Sequence, residues 1–598
     1  MNLSRLYSNQ RVLFEPIDFV KGLNVVLAEI RLPDNREKDT HNLGKSTLVS
    51  LLDFCFISKR SKEFFLFKHY DQFKDFVFFL EIRLDEASYV TVCRSVENAS
   101  KVSFKKHEAG HQDFSSLPNS AWDHYNIPFE RARLMLDGFL DFRSLEPWSY
   151  RNFLDYQLRS QDDFSDVFHL HSFVGKHKDW KPFLAHILGF NAQLLTLHYE
   201  QEDLVEETIA KINTIESELG GSVEDISKIE GLLLLKQNET NKKQALLDAF
   251  DFRSQDKDCT EQLINEIDKE IAELNARRYM LNYNKKKIVT SLEEDQILFN
   301  PAEAEKLFRE VGVLFANDIK RDFEQLIAFN RAISEERRGY LQEELKEIEA
   351  ELGIINPKLD NLGTNRSNKL AFLSSTDIFD KYKEDSNKMV TLRADITSLE
   401  RQRDLLRNLQ KLRTDLRTLT VKRDHLQTEI ETDVENQNAE ESSLFSSIRL
   451  FFNEIIENVI DHKALLSVSP NKKGHLEFKA EILDESGNAT SADLGHTYRK
   501  LLCIAFDLAV MRAHLHEKFP RFVFHDGLLE SLDDRKKENL LVVIRNYTGL
   551  GIQSIITLID SDLPSRKGSD TPVFDAEEII LKLHDEGNDG RLFKMDPW

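Results

Sequence analysis

The stretch that decides the fold is Asn42-Leu43-Gly44-Lys45-Ser46-Thr47, between an apolar run at 23–28 and an apolar segment at 48–54. A phosphate-binding loop needs backbone N–H groups aimed at an anion, a lysine for the outer phosphates and a hydroxyl for magnesium. A strand before such a loop and a helix after it favour a phosphate site over a chance match. The stretch therefore predicts a nucleotide site formed by Asn42, Gly44, Lys45, Ser46 and Thr47. The usual first glycine is replaced by Asp39, within a polar insertion at 31–41.

A second motif near the other end of the chain supplies the missing carboxylate. Asp526 ends the apolar run 522–525, a position from which an aspartate can hold magnesium through its water shell. With Gly527 next, capping of a turn is the alternative. A general base directly after this aspartate is absent, because Gly527 stands there. Glu530 is the nearest carboxylate that could orient a water molecule, although a plain surface residue is the other interpretation.

A third candidate segment, 156–164, contains two glutamines that could reach the magnesium. Gln161 is favoured over Gln157 because acidic residues and Phe164 follow it. A solvated loop glutamine remains the alternative interpretation.

The middle of the chain has a different character. Apolar residues step alternately by threes and fours over 205–219, 264–281 and 416–430, the spacing of a coiled-coil seam. Breaks are expected at Gly220-Gly221, near Asn300-Pro301 and across 353–363, which contains Pro357. A fold-back near residue 317 would give an extended antiparallel arm; a compact bundle of four helical segments is the alternative.

Both ends of the chain read as α/β. Strands are expected at 11–14, 77–84, 89–96, 476–483, 522–524 and 554–559, and helices at 499–511 and 534–547. The strand–helix–strand order near the C-terminus predicts a parallel sheet. The expected domains are 1–195 and 441–598 as two halves of one head, and 196–440 as a coiled-coil arm with its apex near 296–320.

Composition narrows the class of protein. The chain has 598 residues and a net charge of −23, which argues against coating nucleic acid by bulk charge. The basic pairs Lys105-Lys106 and Arg499-Lys500 read as solvated faces. Four scattered cysteines without a CxxC pair suggest a reducing compartment, and no stretch is apolar enough to predict a membrane span or a leader. We expect a cytoplasmic protein without a membrane partner.

Together these motifs resemble the SMC/RecN-like branch of the ABC ATPases. In that resemblance 523–526 matches the Walker B strand, Ser531-Leu532-Asp533 the D-loop, and 499–509 the helix after the signature motif. The resemblance implies an α/β ABC-type P-loop head split by a long antiparallel coiled coil. It also implies ATP and Mg²⁺ as cofactors, a homodimer through the heads, and Glu530 and Asp533 as catalytic residues. Ser46, Gln161 and Asp526 would serve the metal.

Two of the family's motifs are altered. Leu494-Gly495-His496-Thr497-Tyr498 stands where the signature LSGGQ is expected, so Leu494, Gly495 and Thr497 are the candidates for contacting the partner's nucleotide. Asp560-Ser561-Asp562 stands where a switch histidine is expected.

A narrower resemblance covers about 490–565, which looks like the ATPase of bacterial ABC-three-component defence systems. It implies a DNA-engaging sensor with a small middle component and a toxic or nuclease effector as partners. The alternative is a slow or inactive ATPase that acts as a nucleotide-gated scaffold and restrains an effector. A coiled-coil structural protein with a vestigial head is a third possibility.

Overall fold

The computed structural model describes the chain except for residues 33–42, 171–174, 220–224, 249–256, 294–316, 372–376, 491–494 and 565–571. The described residues divide into two compact units. The first, called here the head, comprises Met1–Leu204 and Leu419–Trp598; the second, called the arm, comprises Val205–Thr418. The head is therefore built from both ends of the chain.

The centre of the head is a parallel five-stranded sheet. In chain order its strands are β3 (Leu23–Glu29), β8 (Leu158–Arg159), β11 (Phe522–His525), β12 (Gln553–Ile559) and β13 (Ile579–His584). Their spatial order is β13-β3-β12-β11-β8, and every pair is parallel. Nearly all residues of β3, β11 and β12 are buried, as expected for a parallel sheet covered on both faces. The predicted parallel sheet is confirmed, and it interleaves the two halves of the sequence.

An antiparallel six-stranded sheet forms the second layer of the head. It contains β1 (Asn2–Ser8), β2 (Ile17–Asp18), β4 (Val77–Arg83), β5 (Tyr89–Ser95), β6 (Lys101–His107) and β7 (His124–Pro128). The strands follow the order β2-β1-β4-β5-β6-β7. The strands predicted at 77–84 and 89–96 are confirmed as β4 and β5, which pair antiparallel, whereas the strand expected at 11–14 is wrong. Residues 11–13 form a turn instead, because β1 ends at Ser8 and Phe14 turns into the core.

A separate hairpin joins β9 (Lys463–Pro470) to β10 (Leu476–Leu483). The bounds of β10 match the predicted strand. Its turn contains Gly474, whose φ of +80° places it in the left-handed region.

Nine helices with described bounds belong entirely to the head. They are α1 (Lys45–Cys55), α2 (Phe65–Lys68), α3 (Tyr70–Phe73), α4 (Phe129–Leu140), α5 (Tyr150–Gln157), α6 (His177–Ile187), α12 (Leu444–Ile460), α13 (His496–Ala513) and α14 (Asp534–Gly549). The predicted helices at 499–511 and 534–547 correspond to α13 and α14. One apolar core runs through the head from Leu6 of β1 to Phe593 near the C-terminus.

Five long helices contribute to the arm. They are α7 (Ala192–Glu218), α8 (Ile226–Asp248), α9 (Lys257–Glu293), α10 (Asn317–Ala371) and α11 (Asp377–Ala439). The predicted boundary at 195/196 falls within α7, and that at 440/441 falls just after α11. The division between the compact units lies inside these same two helices.

The arm helices pair antiparallel, as expected for a coiled coil formed by a chain that folds back. Along α9 and α10, Glu270 pairs with Lys358 and Lys285 pairs with Glu349. An apolar seam between these helices includes Leu281, Ile288, Ile348, Leu352, Ile355 and Leu359. The chain direction along α8 is likewise opposite to that along α11, since Glu230 pairs with Arg407 and Lys243 with Asp385.

One predicted break in the arm is wrong. Helix α10 continues through 353–363 with Pro357 inside it. Each glycine costs a helix about 1 kcal/mol relative to alanine, and a proline costs about 3 kcal/mol. Packing of Leu352, Ile355 and Leu359 in the seam outweighs these local preferences. The breaks expected at Gly220-Gly221 and Asn300-Pro301, and residues 296–316 of the expected apex, lie outside the described residues.

None of the helices that the structure describes is long and apolar enough to cross a bilayer.

Candidate nucleotide-binding site

Leu43 and Gly44 lead into the N-terminus of α1, the first described helix after β3 in the chain. Gly44 is the N-cap, with φ +100° and ψ 15°, and Lys45 is the first residue of the helix. The free N–H groups and the dipole of a helix N-terminus attract anions. Lys45, Ser46 and Thr47 therefore occupy the first turn, where the sequence places the phosphates; Asn42 lies outside the described residues.

A direct hydrogen bond joins the two sequence motifs. Ser46 Oγ donates to Asp526 Oδ2 over 2.6 Å, across 480 residues of sequence. Asp526 is fully buried and directly follows β11. On the neighbouring strand β12, Thr557 Oγ1 donates to Asp526 Oδ1 and accepts from Gly527 N. Both carboxylate oxygens thus have fixed positions at the carboxyl edge of the sheet.

This donor set fits a magnesium ion. A serine hydroxyl and an aspartate carboxylate are hard oxygen ligands, and they lie beside a lysine at a helix N-terminus. The two oxygens are close enough for a single ion and its water shell to contact both. Ser46 and Asp526 are therefore the residues that could hold Mg²⁺.

Glu530 lies over the same loop and is held by three side chains. Gln161 Nε2 donates to its two carboxylate oxygens over 2.9 and 3.1 Å. Lys45 Nζ is 4.0 Å from Glu530 Oε1, and Lys500 Nζ is 3.7 Å from Oε2. The Glu530 side chain is only 28% exposed. Burial raises the pKa of Glu530, against the opposing effect of Lys500 and Lys45. Glu530 is therefore not an ordinary solvent-exposed surface residue.

The two glutamines of segment 156–164 have different surroundings. Gln157 is buried and donates to the carbonyl of Phe522, so it supports the edge of β11. Gln161 begins the short 3₁₀ turn Gln161–Ser165, and its amide contacts Glu530. The preferred glutamine thus belongs to the site, through Glu530. Contact with the magnesium itself stays a prediction.

Lys500 is a residue of the site that sequence reasoning missed. The expectation that Arg499-Lys500 forms a solvated face is wrong for Lys500, which is 2% exposed. Its Nζ donates to the carbonyl of Gly527 over 2.6 Å and lies above the Phe164 ring. Lys500 is in the first turns of α13, whose residues from Lys500 to Met511 are all buried.

Asp562, in the turn after β12, is a further residue of the site; the sequence singled it out only as part of the segment where a switch histidine is expected. Its Oδ2 is buried and lacks a hydrogen-bond partner. Burial lowers the pKa of both Lys45 and Lys500, and the charges of Glu530, Asp526 and Asp562 oppose that shift. The site therefore holds the buried ammonium group of Lys500 and the partly exposed one of Lys45 among three carboxylates.

Beneath the site, a buried ion pair joins the two halves of the head. Arg159 donates to both oxygens of Asp507 over 2.8 Å, and each side chain is at most 1% exposed. The guanidinium also donates to three main-chain carbonyls. Burial disfavours the charge, but Asp507 outweighs that effect and raises the pKa of Arg159. The ion pair fixes β8 against α13 and so positions the segment that carries Gln161.

The residues assigned to the signature and the D-loop lie nearby but make local contacts. Asp533 caps α14 by accepting from Lys536 N over 3.1 Å, and the Lys536 hydrogen bond lowers its pKa. Thr497 Oγ1 is 3.4 Å from the carbonyl of Ser531. Gly495 precedes α13 as its N-cap, and Leu494 lies outside the described residues. A role for these residues toward a partner's nucleotide stays a prediction.

The C-terminal segment fastens the phosphate loop. Leu592 N donates to the carbonyl of Leu43 over 3.0 Å, and Leu592 packs against Gly44. A methyl group on Gly44 would lie 2.6 Å from Leu592 Cβ. Phe593 enters an aromatic cluster with Phe14, Phe65 and Phe73.

We expect Gly44→Ala to destabilise the head and weaken ATP binding. The left-handed backbone alone costs an alanine about 1–2 kcal/mol, and the clash with Leu592 adds to it. Gly551→Ala is the matched control, because Gly551 has φ +92° and nothing lies within 4 Å of an added Cβ. Urea denaturation and an ATP-binding assay should show a larger stability loss for Gly44→Ala, with lost affinity in that variant alone. Equal effects of the two substitutions would contradict the Leu592 contact.

The family comparison covers only the C-terminal part of the chain. A family described as an uncharacterised protein conserved in bacteria (DUF2326) matches residues 455–597. No curated protein matches the chain.

Two solved structures cover most of the chain. One is an Smc head domain with a coiled coil and joint from Pyrococcus yayanosii, at 12% identity and a TM-score of 0.33, covering 93% of this chain and 92% of that one. The other is an Smc head domain with an extended coiled coil bound to the C-terminal domain of ScpA, from Pyrococcus furiosus. It matches at 10% identity and a TM-score of 0.31, covering 94% of this chain and 90% of that one. The chain is thus loosely similar to SMC head domains that carry a coiled coil.

Proposed function

We propose that this protein is an SMC-like ATPase that binds Mg²⁺–ATP in the head, between the 43–47 loop and Asp526. The observation that carries this proposal is the 2.6 Å hydrogen bond between Ser46 and Asp526, beside Lys45 at the start of α1. The chemistry needs a hydroxyl, a carboxylate and a lysine at a helix N-terminus, and Ser46, Asp526 and Lys45 supply these three groups.

The side chains of the site have separate roles in this proposal. When bound, Mg²⁺ would neutralise the phosphate charge between Ser46 and Asp526. Lys45 binds the outer phosphates, and Glu530 accepts a proton from the attacking water. Lys500 and Gln161 hold the Glu530 carboxylate in place. Thr557 fixes the second oxygen of Asp526.

We further propose that two heads dimerise around nucleotide. Gly495 and Thr497 at the start of α13, with Leu494, would contact the partner's nucleotide, and Asp533 would approach it from the D-loop. The Thr497 hydroxyl, 3.4 Å from the carbonyl of Ser531, supports this arrangement because the start of α13 lies next to the segment that leads to Asp533. Opening and closing of the dimer would then follow the state of the nucleotide.

We also propose that the protein engages DNA and acts in defence against phage or plasmids. The resemblance of 490–565 to the ATPase of ABC-three-component systems supports it, and the bacterial family that matches 455–597 is compatible with it. In such a system a small middle component and a nuclease or toxin effector would be the partners.

A specific observation favours a second candidate, a nucleotide-gated scaffold with little turnover. Glu530 stands four positions after Asp526 rather than next to it, and two ammonium groups already engage its carboxylate. A carboxylate already held by these groups is less available to an attacking water, so ATP could bind and close the heads without fast hydrolysis.

ATP turnover measured with and without DNA separates the two functions. The ATPase proposal expects hydrolysis above a Lys45→Ala control, and the DNA proposal expects stimulation by duplex or single-stranded DNA. ATP binding without turnover under either condition would favour the scaffold. An absence of ATP binding would exclude both.

We expect Glu530→Gln to lower turnover by about 100-fold or more, the usual contribution of a general base, while ATP affinity stays unchanged. Glutamine keeps the size of the side chain and its contact with Gln161, but it cannot accept the proton. Glu577→Gln, at an exposed glutamate, is the matched control. Parental turnover in Glu530→Gln would exclude Glu530 as the base.

The pH profile adds a second test of Glu530. Burial raises its pKa, so the base is protonated at a higher pH than an ordinary glutamate near pH ~4.3. Turnover of the parent should therefore fall with falling pH before the Asp and Glu side chains at the surface titrate. The residual turnover of Glu530→Gln should lack this acidic limb.

A further inference from the structure

Three side chains far from the phosphate loop in sequence converge on one point in the head. His198 and Glu202 are four residues apart on α7, so they share one helix face. His475 comes from the turn between β9 and β10. One ligand atom from each residue lies within 4.8 Å of the others. We call these three residues the histidine cluster.

His198 is the unusual member of the cluster. It is fully buried, and neither of its ring nitrogens has a hydrogen-bond partner. Buried polar groups are paired in the large majority of cases, and an unpaired one costs about 1–3 kcal/mol. A ligand on either nitrogen would remove the cost.

The other two members are already aligned with it. His475 Nε2 and Glu202 Oε2 are 2.6 Å apart, and Tyr199 stacks on the His475 ring at 4.8 Å. Gly474, with φ +80°, brings the hairpin turn so close that an added Cβ would lie 3.1 Å from His198 Nε2. The backbone therefore presents His475 toward α7 through a turn that favours glycine.

We propose that the histidine cluster binds a divalent transition metal of the zinc class, with His198, Glu202 and His475 as ligands and water in the fourth position. Two imidazoles and one carboxylate form a set that suits zinc, and the imidazoles disfavour magnesium and calcium. Binding replaces the His475–Glu202 hydrogen bond with two metal–ligand bonds and gives His198 its missing partner. The metal would fasten the β9–β10 hairpin to α7.

The test uses the full-length, untagged protein after removal of metals with a chelator. Zinc titration followed by calorimetry should give about one tight site per chain, and Co²⁺ in its place should give the visible absorption of a tetrahedral nitrogen–oxygen site. The titration is repeated with Asp526→Asn, which removes the carboxylate of the nucleotide site. That variant should keep the tight site.

His198→Ala and Glu202→Gln should each lower zinc affinity by at least about 100-fold, since even groups behind a metal ligand contribute 10- to 100-fold. Glu202→Gln preserves the shape of the helix and guards against a variant that fails to fold. His425→Ala is the matched control, because His425 pairs with Glu429 on α11 in the same spacing. Its zinc affinity should equal that of the parent.

Two results would overturn the proposal. One is the absence of a tight site in the parent, in which case His198 is a neutral core histidine. The other is a site that survives both His198→Ala and Glu202→Gln. Neither result depends on whether the head hydrolyses ATP, because the binding is measured without nucleotide.

Discussion

Lys45→Ala is expected to lower ATP affinity by about 10- to 100-fold, and turnover by at least as much. Lys45 is the first residue of α1 and is 13% exposed, so in the proposed complex its ammonium group would contact the phosphates in a partly enclosed site. A hydrogen bond to a charged group is worth about 1.5–3 kcal/mol, which corresponds to that range of affinity. Equilibrium binding of ATP in the presence of Mg²⁺ measures the loss.

The fold should survive this substitution. Glu530 keeps its contacts with Lys500 and Gln161, so no buried carboxylate is left alone. Lys21→Ala is the control, because Lys21 is 62% exposed and pairs only with Glu86 at the surface. Unchanged ATP affinity in Lys45→Ala would place the nucleotide elsewhere.

Asp507→Ala is expected to cost the head about 3–5 kcal/mol of unfolding free energy, the usual effect of removing one partner of a buried ion pair. The substitution leaves the Arg159 guanidinium buried and paired only with carbonyl groups. It also removes the acceptor of His525 Nε2. Because the main-chain carbonyls still accept hydrogen bonds from Arg159, we expect a loss of unfolding free energy near the lower end of this range.

Urea denaturation followed by tryptophan fluorescence measures this effect in the head. All four tryptophans of the chain, Trp122, Trp148, Trp180 and Trp598, belong to that unit. The double variant Arg159→Met with Asp507→Leu should recover much of the stability, because apolar replacement of a buried pair is often neutral. Glu86→Gln, at an exposed pair, should change little. A small loss in Asp507→Ala would contradict the structural role of the pair.

Much of the head follows from local sequence patterns. Strands β3, β11 and β12 are buried on both faces, so they appear in the sequence as short apolar runs. The order of strands β13-β3-β12-β11-β8 does not follow from such runs. It depends on contacts between the two ends of the chain, such as the pairing of Leu23 with Ser554.

The arm shows why local preferences fail in a long helix. Gly353, Pro357 and Gly363 favour a break, yet α10 continues through them. Contacts of Ile355 and Leu359 with α9 stabilise the helix there, and these contacts depend on residues more than sixty positions away in sequence.

The candidate site was only partly predictable for the same reason. Ser46 and Asp526 lie in motifs with a chemical signature, so their pairing could be expected before the structure. Lys500 could not, because its partners are the carbonyl of Gly527 and the carboxylate of Glu530, on a different element. Charged residues are rarely buried without a partner. A lysine whose partner cannot be identified from the sequence is therefore predicted to be exposed to solvent.

The most direct test is a double-mutant cycle of Ser46→Ala and Asp526→Asn, with Mg²⁺-dependent ATP affinity as the measured quantity. If both side chains hold one ion, each single substitution removes most of the Mg²⁺ dependence, and the double variant binds about as weakly as the weaker single one. That non-additivity corresponds to a coupling of about 0.5–3 kcal/mol. Additive losses, or an unchanged Mg²⁺ dependence in either single variant, would contradict a single magnesium–nucleotide site built from both ends of the chain.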